Sequence, residues 1–125
     1  GGLALTEAVL FASGRTELKA EAFPVLDQVV GLIRTLPSDE TIIIEGHTDN
    51  QEVRTSAHLW KHNMRLSCER ANRVFEYLVD HGIPESRFVI HGVSYLIPLD
   101  PETMNTEEGR RRNRRVVLRR GGTYR

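Results

Sequence analysis

Two charged residues open the argument. Asp49 closes the run Gly46-His47-Thr48-Asp49, and Arg70 follows later with Leu66 one helical turn before it. An aspartate and an arginine converging beside an apolar wall suit a zwitterion, with ammonium toward Asp49 and carboxylate toward Arg70. Arginine takes a carboxylate through two parallel hydrogen bonds. Each charge-assisted bond contributes about 1.5–3 kcal/mol net. After binding costs, a few of them give roughly −4 to −8 kcal/mol, which is millimolar to micromolar affinity. A plain Asp49–Arg70 ion pair with no ligand fits the same pattern. Other chemistry is less well supported. His58 and His62 are four apart, a spacing that can put two metal ligands on one helical face, and His47 with Asp49 could complete a zinc site. Position 59 is leucine, so the general-base glutamate of a zinc hydrolase motif is missing, and loop histidines are the favoured reading. Cys68 has no second cysteine or adjacent histidine and reads as a small core residue. There is no phosphate-binding glycine loop and no Ser-His-Asp arrangement, so neither a catalytic residue nor a cofactor is expected.

The elements that must position these residues follow from periodicity. Ala8-Val9-Leu10-Phe11-Ala12 is a short apolar run ended by Ser13-Gly14 and reads as a buried strand. Leu18, Ala22, Val25, Leu26, Val29, Ile33 and Leu36 recur with helical spacing, predicting a helix from about Lys19 or Ala20 to Pro37, with Pro24 tolerated in its first turn. Thr41–Gly46 is β-branched and predicts a central strand. After a polar stretch from His47 to about Asn63, Ala71, Val74, Phe75 and Leu78 predict a helix from Leu66 to His81, with Gly82 as its C-terminal glycine. Arg87–Gly92 reads as a strand, Thr106–Arg112 as a helical turn and Val116–Leu118 as a last strand. Strands alternating with helices argue for a layered sheet with helices packed against it. In such sheets ligands gather at the carboxyl ends of strands, beside helix N-termini. Thr48 and Asp49 stand at one such end, and Arg70 lies one turn into the next helix.

Composition sets the bounds. The chain has 125 residues, 39% of them hydrophobic, enough for one domain with a real core spanning 1–125. Seventeen basic and 17 acidic side chains cancel, so net charge gives no pull toward nucleic acid or membrane. The arginines crowd between Arg110 and Arg120 and could contact phosphates, but without interleaved aromatics they read as helix caps and strand flanks, and no nucleic-acid partner is expected. One cysteine excludes an internal disulfide. No apolar run approaches the roughly 18–20 residues of a membrane span, and no leader is visible. The chain starts Gly-Gly without methionine, so it reads as a piece whose anchor or targeting signal lies outside it.

Three segments form one ordered pattern: Gly46-His47-Thr48-Asp49, then Asn63-Met64-Arg65-Leu66-Ser67-Cys68-Glu69-Arg70-Ala71, then Glu108-Gly109-Arg110-Arg111-Arg112-Asn113-Arg114-Arg115-Val116. The pattern resembles the OmpA-like peptidoglycan-binding domain over about residues 8–120. Leu10–Gly14, with Leu18 beyond, is similar to that family's first strand and loop. The resemblance implies an α+β fold, β-α-β-α-β-(α)-β, with helices packed on a mixed sheet. It implies a non-catalytic domain that holds the diaminopimelate of the peptidoglycan stem peptide and tethers a membrane-anchored parent in the periplasm, at the outer or inner membrane. By that resemblance Asp49 accepts from the ammonium and Arg70 holds the carboxylate. Leu66 lines the pocket, Thr48 belongs to the binding set, Asn63 orders the loop and helix start, Arg114 supports the wall, and Phe11 and Ser13 border it. Two departures stand out: Gln51-Glu52-Val53 with a longer loop to Asn63, similar to the flagellar-stator branch, and Ala12 where an acid is common. Trp60 in that loop reads as a packing anchor. The competing reading makes the loop a contact surface for protein interaction, a homodimer included, with weak or no wall binding.

Overall fold

In the computed structural model, residues 2–12, 15–51 and 60–122 are described. The β-branched run Thr41–His47 forms β2, the centre of a four-stranded sheet. Its neighbours are β3 (Phe88–Gly92) and β4 (Arg115–Gly122), and β1 (Gly2–Thr6) closes the far edge in the order β1-β4-β2-β3. The β2–β3 pair is parallel, with Ile44 opposite Ile90, while β4 runs antiparallel to both β1 and β2. The helices are α1 (Glu7–Leu10), α2 (Ala22–Arg34), α3 (Asn63–Asp80) and α4 (Glu107–Asn113), with single 3₁₀ turns at Glu85–Arg87 and Pro101–Asn105. This is the expected mixed α+β architecture with helices packed on the sheet.

Alternation along the strands decides where the core lies. Ile42 and Ile44 of β2, Val116 and Leu118 of β4 and Leu5 of β1 join one cluster with Leu26, Val29 and Ile33 of α2 and Ala71, Val74 and Leu78 of α3. The intervening residues Glu45 and His47 stand opposite Val117 and Arg115 in the β2–β4 register. There the chain after β3 covers the sheet: Arg115 donates to the carbonyls of Asn113 (3.1 Å) and Ile97 (3.4 Å).

The run Ala8–Ala12 is not the first strand. Glu7, Leu10 and Phe11 are the buried residues there, a helical i, i+3, i+4 spacing, and the segment forms one helical turn followed by a single bridge from Phe11 to Leu18. A short apolar run does not by itself distinguish strand from helix. The first strand is Gly2–Thr6 instead. Elsewhere the corrections are to helix ends, the least certain part of a periodic pattern. Turn hydrogen bonds from Ala22 to Lys19 and from Phe23 to Ala20 delay α2 to Ala22, and α3 starts three residues before Leu66.

α3 ends as its glycine predicts. Gly82 has φ +102°, its N–H donates to Val79 O (3.0 Å), and the N–H of buried Ile83 donates to Leu78 O (3.1 Å). This pair of reversed bonds satisfies the last carbonyls, and Ile83 adds the apolar contact that accompanies it. α4 is capped at the other end: Thr106 Oγ1 accepts from Gly109 N–H at 3.0 Å, Glu107 and Glu108 occupy the first turn, and Arg110–Arg112 the last. That charge order complements the helix dipole.

Candidate functional site

The carboxyl ends of β2 and β3 are where α3 presses closest. A Cβ at Gly46 would collide with the Ser67 carbonyl, and one at Gly92 with the Cys68 sulfur. Glycine at both positions therefore lets the first turns of α3 lie over the strand ends. Ser67 ties them down, donating to Met64 O (2.8 Å) and accepting from Ser94 N–H (3.1 Å). Beyond β2, Thr48 N–H donates to Ser94 O at 2.9 Å, which fixes where Asp49 emerges. Thr48 is buried, and its hydroxyl donates to Asp49 O (2.9 Å).

Asp49 is only 3% exposed, so its charge needs partners. Oδ1 accepts from Gln51 N–H (2.8 Å), and Oδ2 accepts from Arg114 Nη1 (2.7 Å). Arg114 extends the line: its Nε lies 3.0 Å from Glu7 Oε2 and its Nη2 3.3 Å from Glu107 Oε1. Glu7 is shared, for Arg70 Nη2 stands 3.4 Å from the same oxygen. Arg70 is 2% exposed, donates from Nε to Arg15 O (3.2 Å), and lies with its guanidinium carbon 5.4 Å from the Phe11 ring centroid. Buried cation over aromatic face is an attractive pairing. Leu66, one turn before Arg70 on α3, is fully buried yet outside the main core cluster. The result is an alternating array, Asp49–Arg114–Glu7–Arg70, drawn from four elements or their ends.

The structure thus gathers Asp49, Arg114, Arg70 and Phe11 into one connected array, with Leu66 on the face that carries Arg70. Asn63 is the first residue of α3, and its buried Oδ1 accepts no hydrogen bond from the described residues. Ser13 lies outside the described residues, as do His58 and Gln51's neighbours Glu52 and Val53. Arg114, expected to support the wall, contacts three carboxylates, those of Glu7, Asp49 and Glu107. Sequence reasoning missed Glu7 altogether, although its helical spacing to Leu10 and Phe11 was a usable signal.

One other expectation is revised. Cys68 is exposed, not a core residue, because the buried face of α3 passes through Ser67 and Arg70 on either side of it. His47 turns to the sheet face away from α3, where its Nε2 lies 3.3 Å from Glu45. Burial and the charge of Arg115 push its pKa below the ordinary value, against the raising effect of Glu45. Among the described residues no group of three histidine, cysteine or acidic side chains could hold a metal. The arginines do not form one patch: Arg115 is buried, Arg119 pairs with Glu45 (3.0 Å), and Arg120 grips Glu40 through two bonds of 2.6 and 2.7 Å. Trp60 is half-buried. A cleft of about 400 Å³ opens at the opposite rim, lined mainly by apolar side chains such as Leu3, Val29, Leu32, Leu36 and Ile42, with Arg119 and Arg120 beside them. Among the described residues no helix is long and apolar enough to cross a membrane.

Comparison with known proteins agrees with the motifs. The sequence pattern of the OmpA family matches residues 10–114. Outer membrane protein A of Bordetella avium is 40% identical over 108 residues, covering 86% of this chain and 51% of that protein. The chain spans about half the length of the curated relatives it matches. A solved putative MotB-like protein from Desulfovibrio vulgaris is 36% identical with a TM-score of 0.83, covering 95% of this chain and 74% of that one. The cell wall anchor of the type VI secretion system from Pseudomonas aeruginosa is 29% identical with a TM-score of 0.82, covering 94% of this chain and 78% of that one. The motifs, the mixed sheet and the matched span lead to one conclusion: the chain belongs to the OmpA family.

Proposed function

We propose that this domain binds peptidoglycan non-covalently through the diaminopimelate head of the stem peptide, does no chemistry on it, and so tethers a membrane-attached parent to the cell wall in the periplasm. The observation that carries the reading is the array Asp49–Arg114–Glu7–Arg70 at the carboxyl end of β2. An ammonium finds an acceptor in Asp49, a carboxylate finds a planar donor in Arg70, and Leu66 with Phe11 supplies the apolar wall. Both ends of the ligand then exchange water for charge-assisted bonds. The kinship with a secretion-system cell wall anchor supports the same role.

The test is retention on purified peptidoglycan, with calorimetry using a diaminopimelate stem peptide and its lysine analogue. The lysine head lacks the carboxylate that Arg70 would hold, so it is expected to bind at least tenfold more weakly. Asp49→Asn and Arg70→Lys are each expected to cut retention tenfold or more. Equal binding of the two peptides, or full retention by both variants, would remove the proposal.

A further inference from the structure

Glu7 stands outside the three sequence motifs, yet its carboxylate holds the middle of the array. Its side chain is 9% exposed, and Oε2 lies between Arg114 Nε (3.0 Å) and Arg70 Nη2 (3.4 Å). We propose that Glu7 is a specificity-determining residue: its charge, set between the two guanidinium groups, makes the site select a zwitterionic head over a simple carboxylate. The inference rests on the reading above, in which Asp49 and Arg70 take the ammonium and carboxylate.

The reason is local charge balance. Arg70 and Arg114 approach one carboxylate oxygen from two sides. Without Glu7, the array loses one of the negative charges that face Arg70 and Arg114, so a carboxylate arriving there meets less repulsion. With Glu7 in place, a carboxylate arriving at Arg70 also meets a fixed negative charge just beyond it. In a poorly solvated site that repulsion is felt strongly. A ligand that carries its own ammonium to Asp49 offsets it, and one without an ammonium does not. Glu107 also touches Arg114, but its side chain is 59% exposed, so solvent screens its charge. Backbone position supports the assignment. The Glu7 N–H donates to Arg114 O at 2.8 Å, and the Glu7 carbonyl accepts from Phe11 N–H at 2.8 Å. The carboxylate is therefore placed by the same turn that brings the Phe11 ring under Arg70.

The experiment uses three probes on the intact domain: a stem peptide with the zwitterionic diaminopimelate head, its lysine analogue with only the ammonium, and its desamino analogue with only the carboxylate. Calorimetry compares the wild type with Glu7→Gln, which removes the charge at nearly constant shape, and Glu7→Asp, which keeps it. The wild type is expected to prefer the zwitterion over the desamino analogue at least tenfold. In Glu7→Gln that preference should shrink about tenfold, equivalent to about 1.4 kcal/mol, while the lysine analogue gains nothing. Glu7→Asp should retain the wild-type order. Because each ratio is taken within one variant, a loss of folded protein does not move it. Should Glu7→Gln not fold, Glu7→Met supplies the neutral comparison. An unchanged ratio in the neutral variant, with the wild type still preferring the zwitterion, overturns the role of Glu7 and leaves wall binding standing. A Gln-like order in Glu7→Asp overturns it as well. A wild type that binds none of the three probes removes both proposals.

Discussion

Arg114 touches three carboxylates, those of Asp49, Glu7 and Glu107. A lysine has one ammonium and no planar fork, so it cannot bridge them. Arg114→Lys is expected to lower stability by about 1–3 kcal/mol, since part of a poorly solvated ion network loses its partner. Denaturant titration reads that loss, and peptidoglycan retention should fall with it. The same logic changes how Asp49 is best probed. An alanine there leaves Arg114 facing a gap, so fold and binding would be disturbed together, whereas Asn keeps the shape and one of the two accepting oxygens. His47 gives the pH dependence. Its pKa is lowered in the folded state by burial, then by Arg115. The unfolded chain therefore takes up a proton first, near pH about 6.5. Stability is full above that value and falls as pH drops toward the lowered folded pKa. Urea midpoints at pH 7.5 and 5.5 should drop more for the wild type than for His47→Gln; equal drops would contradict this. Asp49 and Arg70 were legible as members of one array because motif spacing and the strand-end rule both pointed to them. Glu7 was not, because an acid beside an apolar run looks like ordinary solvent-facing charge until the turn that buries it is known.

At the scale of elements, what matters is how α3 meets the sheet. Gly46 and Gly92 leave room for the backbone and the first turns of the helix. Gly46→Ala forces α3 to shift away from the rim, because the obstacle is the Ser67 backbone rather than a movable side chain. Wall retention is expected to fall tenfold or more, and a structure of the variant should show α3 displaced. Gly82→Ala is a different case. At φ +102° an added Cβ strains the backbone, and it would also sit 2.9 Å from Arg34 Nη2. A loss of about 1–2 kcal/mol in thermal or chemical unfolding is expected, with ligand preference unchanged because the cap lies at the far end of α3. The helices α2 and α3 and the strand β2 could be read in advance, since their buried residues repeat at a regular period over many positions. β1 could not. Only Leu5 of its five residues is buried, so edge position leaves little alternation to see. The stronger apolar signal of Ala8–Ala12 drew the assignment instead.

Across the whole molecule the two ends of the sheet differ in chemistry. The ionic array sits at the end marked by Thr6, Arg115, His47 and Gly92, while the apolar cleft beside Leu3 and Leu32 lies at the end marked by Gly2 and Ile42. Substitution in the cleft should therefore leave the site alone. Leu32→Glu, at a position already 56% exposed, is expected to keep peptidoglycan retention within about twofold of wild type. A large loss would show that the two ends are coupled. Formal neutrality of the chain also means that, on the proposed reading, attraction to the wall would be local to the array and not a property of the overall field.

The placement of β1 has a mechanical consequence. Gly2 stands at one end of the sheet and the Asp49–Arg114–Glu7–Arg70 array at the other, so a force applied between residue 2 and the array runs parallel to the strands. The β1–β4 ladder, with pairings from Gly2–Arg119 to Thr6–Arg115, is then pulled in shear, and its hydrogen bonds resist together. A pull across the strands would peel them open one after another.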